Sequence, residues 1–151
     1  MRRRWLAVAV VASLMPLLPS CVPRTSFNVG VTASGFGSVR FLFVHCEDLG
    51  VTGVSLAVER APEADTRPLW RIHTESPSPA SVFTVGRTPL GFHEDVPLHR
   101  AMPAHRQLFA QVDTTVGRYA LGFRALDLLP GLVRWPAGSV TKEAFAQGAC
   151  A

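Results

Sequence analysis

The chain has 151 residues, of which 48% are hydrophobic and 17% are charged, and this length and composition fit one globular domain with a substantial core. Its formal net charge of +4 comes from 15 Lys and Arg against 11 Asp and Glu. Three of the basic residues stand at positions 2–4, so the rest of the chain has 12 basic residues against 11 acidic ones and no basic run. This balance excludes a protein that binds nucleic acid through a basic patch or stripe.

The first twenty residues have the pattern of a secretory signal peptide. Three arginines at positions 2–4 precede an almost wholly apolar run over residues 5–18, and this order is typical of export signals. The apolar run is shorter than the roughly 18 residues that indicate a membrane-spanning helix, and Pro16 disfavours a continuous helix. A buried N-terminal helix is the alternative interpretation. We predict a signal peptide over residues 1–20.

The end of this segment reads Leu18-Pro19-Ser20-Cys21, with a leucine three positions before a cysteine and a small residue directly before it. The tetrapeptide resembles the lipobox of bacterial lipoproteins, although Pro19 replaces the small or hydroxylated residue usual at that position. The resemblance implies that Cys21 receives diacylglycerol on its thiol, becomes the first residue after cleavage, and is acylated there with a fatty acid such as palmitate. It also implies an exported protein anchored by lipid to the bacterial cell membrane or outer membrane.

The chain after the cysteine shows short strand patterns separated by turn residues. Residues 21–35 predict a lipid-anchored tether that leads into a first strand at 27–31. Apolar runs and apolar/polar alternation predict further strands at residues 39–46, 54–58, 69–73, 81–85, 108–112, 119–125 and 132–135. The segments between and after them predict a Pro/Ser linker at 75–81, a short edge piece at 90–93, a long connection at 94–106, and either a helix capped by Ser139 or a final strand at 139–147.

These elements predict an all-β fold, because about seven short strands occur with almost no helical periodicity. We predict a single β-sandwich domain over residues 36–151, with immunoglobulin-like topology, and a small β-barrel is the alternative. Trp70 lies between Cys46 and Cys150 in the sequence. The second cysteine is nearly C-terminal, however, so the cysteine–tryptophan–cysteine spacing of true immunoglobulin domains is absent.

The chain has three cysteines, and export places them in an oxidising compartment where disulfides persist. If Cys21 carries lipid, Cys46 and Cys150 remain and have only one intramolecular pairing. We therefore predict a disulfide between them, with two free thiols as the alternative. A metal site made by cysteines is disfavoured because no C-x-x-C spacing occurs.

Three of the five histidines fall in one connection, where His93, His99 and His105 recur every six residues and two acidic residues follow the first. Neutral imidazoles with a carboxylate are suitable ligands for zinc or copper. The spacing matches no established metal motif, and two prolines prevent a single helix here. A solvated loop without metal is the alternative, and we predict no other cofactor.

Catalytic signatures are weak in this sequence. His45 stands beside Cys46, but a strand that ends in a structural cystine explains the pair equally well. Ser55 lies in Gly-Val-Ser-Leu-Ala, which lacks the final glycine of a nucleophile elbow, and it falls in a predicted strand rather than at a strand-to-helix turn. We therefore predict no enzymatic activity.

The resulting prediction is a lipid-anchored exported envelope protein that acts as a non-catalytic binding or assembly module. The membrane is its first partner through Cys21, and a protein of the envelope is a second possible partner. The alternative function is an envelope protein that binds zinc or copper through His93, His99 and His105.

Overall fold

The computed structural model describes residues 28–34, 38–45, 49–59 and 68–149. The predicted signal peptide, the lipidation site Cys21, and the disulfide partners Cys46 and Cys150 all lie outside these residues. Within the described ranges, no helix combines the length and the apolar character that crossing a membrane requires.

The described part of the chain forms ten strands and one short α-helix. In chain order they are β1 (Val29–Ala33), β2 (Val39–Phe43), β3 (Val51–Val58), β4 (Trp70–Ser78), β5 (Val82–Thr84), β6 (His93–Val96), β7 (Leu108–Thr114), β8 (Arg118–Phe123), β9 (Val133–Trp135), β10 (Gly138–Val140) and α1 (Lys142–Gly148). A 3₁₀ turn over Ala125–Asp127 follows β8.

The strands form two five-stranded antiparallel sheets that pack face to face, so the predicted β-sandwich is confirmed. The first sheet has the order β10-β9-β1-β2-β5 and the second has the order β6-β4-β3-β7-β8. Among the described residues each sheet keeps two edge strands, and neither closes into the alternative barrel. The eight strand segments named in the sequence correspond to β1–β5 and β7–β9, and the two further strands, β6 and β10, are short edge strands without the buried alternation that marks a strand in sequence.

The order of neighbouring strands follows the immunoglobulin pattern in its central part. The neighbours β8-β7-β3-β4 correspond to strands G-F-C-C′ of a variable domain, and β1-β2-β5 correspond to A-B-E. The first sheet continues beyond β1 through β9 and β10, which have no counterpart in that pattern.

Alternation along the strands sends one face of each sheet into a shared core. In β7, Leu108, Ala110 and Val112 are fully buried, whereas Phe109 and Gln111 between them are only partly buried. The centre of the core is aromatic, because the fully buried side chains with the largest volumes include Trp70, Phe41, Phe43 and Phe83. The rings of Phe41 and Trp70 meet edge to face across the two sheets, with centroids 6.3 Å apart.

A second, smaller core forms where α1 covers the outer face of the first sheet. Phe145 of α1 is 2% exposed and clusters with Val133 and Ala149. Residues 139–147 contain both elements that were predicted as alternatives, since β10 is followed directly by α1. The cap is Thr141 rather than Ser139, because the Thr141 hydroxyl accepts a hydrogen bond from the backbone N–H of Ala144 at 3.2 Å.

The Pro/Ser linker predicted at residues 75–81 is wrong over its first half, because β4 continues to Ser78. The register with β3 jumps from the pair Gly53–His73 to the pair Val51–Ser78. Pro77 therefore lies where the ladder with β3 is interrupted, and its missing N–H removes no hydrogen bond of that ladder. The edge piece predicted at 90–93 lies too early in the sequence, since the corresponding strand β6 begins at His93.

Candidate functional site

The three histidines of the predicted metal site occupy different surroundings. His93 pairs with His73 of β4, and the centroids of the two rings are 5.6 Å apart. His99 and His105 are exposed in the connection between β6 and β7. In the part of the chain that the structure describes, no group of three or more His, Cys, Asp or Glu side chains is placed to hold a metal ion. The zinc or copper site stays a prediction, and the close neighbour of His93 is His73.

His45, the candidate for acid–base chemistry beside Cys46, contacts two backbone carbonyls. Its Nδ1 lies 2.6 Å from the carbonyl oxygen of Leu49, and its Nε2 lies 3.2 Å from that of Ala80. The edge of its ring also meets Phe43, with centroids 4.8 Å apart. A neutral imidazole has a single N–H and so donates to one of these carbonyls at a time, and the ring lies between two loops.

The outer face of the second sheet contains a cleft of about 410 Å³, and the strands explain its origin. Along the middle strand β3, the outward-facing residues Gly53, Ser55 and Ala57 are all small. Each is paired across the sheet with a larger side chain of β7, namely Asp113, Gln111 and Phe109 respectively. The small residues therefore leave a depression above β3. We call it the outer cleft; Ser55 and Ala57 form its floor.

One wall of the outer cleft consists of side chains of β7 and β8, and two polar contacts orient these side chains. The Ser55 hydroxyl donates a hydrogen bond to Gln111 Oε1 at 3.2 Å. Arg118 Nε donates to Asp113 Oδ1 at 2.5 Å. The Asp113 carboxylate, through this hydrogen bond first and through its charge second, raises the pKa of the Arg118 guanidinium above its ordinary value. The polar groups of this wall are thus pre-positioned by one another.

The opposite wall is Arg71 of β4, and an acidic residue of β6 holds it in place. Asp95 Oδ2 lies 3.7 Å from Arg71 Nε, and Asp95 Oδ1 lies 2.7 Å from His73 Nδ1. All three side chains are more than one-third exposed, so these contacts orient the groups more than they stabilise the fold.

An aromatic ring completes the β7 wall. Phe109 is partly buried, and its ring lies across Gly122 of β8. A Cβ at position 122 would lie 3.3 Å from Phe109 Cε1 and 2.7 Å from Gln107 Nε2, so the glycine gives these two side chains room close to the sheet. Pro68 adds a second apolar surface to the lining, and Glu59 contributes a carboxylate at the rim.

The cleft was not predicted from the sequence, although part of its signal was present. Gly53, Ser55 and Ala57 alternate with buried valine and leucine, and small residues at consecutive outward positions of a central strand indicate a groove. Their partners on β4 and β7 lie 14 or more residues away in sequence, so only the strand pairing shows which side chains form the walls.

Comparisons of the chain with protein-family models, with curated proteins and with solved structures find no match.

Proposed function

We propose that this protein is a lipid-anchored, exported module of the bacterial cell envelope that binds its ligand in the outer cleft without transforming it. The anchor rests on the apolar run and the lipobox-like residues that end at Cys21. The single observation that supports ligand binding is the outer cleft. Its volume of about 410 Å³ falls within the roughly 300–1,000 Å³ typical of small-ligand sites, and it combines apolar surface with a few converging polar groups.

The contacts inside the cleft favour binding over catalysis. The Ser55 hydroxyl donates to the amide oxygen of Gln111, a group that does not accept a proton as a general base. The carboxylate of Asp113 is already engaged by Arg118. A nucleophile activated by a neighbouring base, the arrangement that covalent catalysis needs, is therefore not formed by these residues.

A matched pair of photo-crosslinking variants tests this function in cells that make the full chain. A diazirine amino acid replaces Glu59, which is exposed at the rim of the cleft, or Glu143, which is exposed on α1 over the other sheet. Irradiation should crosslink the ligand to the protein when the diazirine stands at position 59. It should give much less crosslinked product when the diazirine stands at position 143.

Filling the cleft provides the control for this experiment. Ala57→Leu places a larger side chain on the cleft floor and should suppress the adduct at position 59. Ala146→Leu, the same change at an exposed position of α1, should leave it intact. Equal adducts from positions 59 and 143, or no adduct from either, would contradict a ligand in the outer cleft.

A further inference from the structure

We propose that the outer cleft recognises a neutral saccharide of the cell envelope. This inference rests on the proposed function, because it names the chemical class of ligand for the same cleft. Three properties of its described residues support it: the balance of their charges, the pairing of the floor strand on both sides, and the kinds of side chain that line the cleft.

Among the described residues that line the cleft, the charges cancel. Arg71 and Arg118 contribute two positive groups, and Glu59 and Asp113 contribute two negative groups. Arg118 is bound to Asp113, and Arg71 lies near the carboxylate of Asp95. A polyanionic ligand requires an excess of positive potential, and a cationic one requires the reverse. The balance therefore favours a ligand without net charge.

The backbone N–H and C=O groups of the cleft floor already take part in the hydrogen bonds of the sheet. The floor belongs to β3, which pairs with β4 on one side and with β7 on the other, and β4 and β7 each have a further neighbour. An extended peptide is commonly bound by adding a strand to a free sheet edge, and no such edge borders the floor. Over the floor of the cleft, as the described residues form it, a ligand is therefore recognised by side chains.

Those side chains suit a ligand that carries many hydroxyl groups. The guanidinium of Arg71, the amide of Gln111 and the carboxylate of Glu59 are planar groups that each offer two adjacent donors or acceptors. Adjacent hydroxyls of a sugar both donate and accept, so they match such groups in pairs. Phe109 and Pro68 present apolar surface, on which the C–H face of a sugar ring packs.

The test uses the purified full chain in detergent and four linear tetrasaccharides of defined composition. Three are neutral, namely the tetramers of cellulose, of amylose and of chitin, and the fourth is the anionic tetramer of galacturonic acid. Saturation-transfer NMR and isothermal titration detect binding. We expect at least one neutral tetramer to bind and the galacturonate tetramer to bind at least ten-fold more weakly.

Substitutions test whether the neutral tetramer binds in the outer cleft. Ala57→Leu and Phe109→Ala should each weaken binding of that neutral tetramer by at least ten-fold, whereas Ala146→Leu should not change it. Thermal unfolding of each variant shows whether the sandwich is intact. Since Phe109 packs across Gly122, Phe109→Leu serves as a second variant that keeps apolar volume there and should also reduce binding.

The outcomes separate this inference from the proposed function. Preferred binding of galacturonate, or affinity that Ala57→Leu leaves unchanged, would overturn the neutral-saccharide inference. If no tetramer binds while the photo-adduct at position 59 still forms, the neutral-saccharide inference is wrong, but the cleft still binds a ligand. If that adduct proves to be a peptide by mass spectrometry, the ligand is a protein. If position 59 gives no adduct and no tetramer binds, both proposals are overturned.

Discussion

The imidazole of His45 joins two loops at one end of the sandwich. Its two nitrogens lie 2.6 Å and 3.2 Å from the carbonyl oxygens of Leu49 and Ala80. We expect His45→Ala to lower the free energy of unfolding by about 1–3 kcal/mol, because it removes a hydrogen bond to one of these carbonyls, worth about 1 kcal/mol, and the edge-to-face contact with Phe43. Urea denaturation of the purified protein measures the change.

His99→Ala is the matched control for this prediction, since His99 is exposed. Exposed substitutions of this kind usually change stability by less than about 0.5 kcal/mol. Equal stability of the two variants would show that the carbonyl contacts of His45 contribute nothing to the fold.

Glu143, in the first turn of α1, is expected to make the helix sensitive to acid. Its own backbone amide first, and the Thr141 hydroxyl second, lower the pKa of the Glu143 carboxyl below the ordinary value of 4.5. Because the folded pKa is the lower one, the contribution of Glu143 is fully present above pH 4.5 and is lost as the pH falls through the folded value. Carbon-detected NMR titration of this carboxyl measures the pKa.

The variant Thr141→Ala tests the cause of that shift. It should move the pKa of Glu143 part of the way back toward 4.5, since the backbone amide still acts on the carboxylate. A pKa at or above 4.5 in the unmodified protein would contradict the capping interaction.

At the scale of whole elements, the docking of α1 depends on a glycine in the sheet beneath it. Gly30 of β1 faces α1, and a Cβ built there would overlap with Val133 Cγ1 and lie 3.0 Å from Phe145 Cζ. Gly30→Ala should therefore destabilise the protein by about 1–3 kcal/mol through overpacking. Chemical denaturation followed by tryptophan fluorescence reports the loss.

A double-mutant cycle with Val133→Ala identifies the mechanism of this effect. The smaller side chain at position 133 makes room for the new Cβ, so the double variant should lose less stability than the sum of the single changes. Additive losses would mean that Gly30 is not required for the close approach of α1.

For the molecule as a whole, the predicted disulfide would link two segments whose described neighbours share the second core. Val44, two residues before Cys46, and Ala149, directly before Cys150, both pack in the small core around Phe145. A bond between the two cysteines would close a loop of about 105 residues, for which chain entropy gives on the order of 4.7 kcal/mol. We expect no reactive thiol at either position in protein taken from the envelope, as judged by labelling after denaturation without reductant. Two labelled thiols would refute the bond.

Lipid on Cys21 is expected to decide where the whole molecule resides. Each buried methylene of an acyl chain contributes about 0.8 kcal/mol, so several chains anchor a protein firmly where one chain does not. Cys21→Ala should release the protein from the membrane fraction or stop its processing, whereas Cys46→Ala should leave it membrane-bound. Intact-mass analysis that shows an unmodified Cys21 in the processed protein would end this proposal.

By itself the sequence determined the fold class and most strand positions, because alternation of apolar and polar residues is a local property with a period of two. Residues 108–112 and 119–125 indicated β7 and β8 to within a few residues for this reason. Elements that bury little gave no such signal, and so β6 was placed about three residues too early and the extension of β4 past His73 was not predicted.

Which strands are neighbours, and therefore which residues line the candidate site, followed only from the tertiary structure. The pairing of β3 with β4 and β7 brings Ser55 beside Arg71 and Gln111, which are 16 and 56 positions away in the chain. It also places His93 next to His73. Strand pairing is a long-range property that depends on how the two sheets share one core, and no spacing along the sequence specifies it.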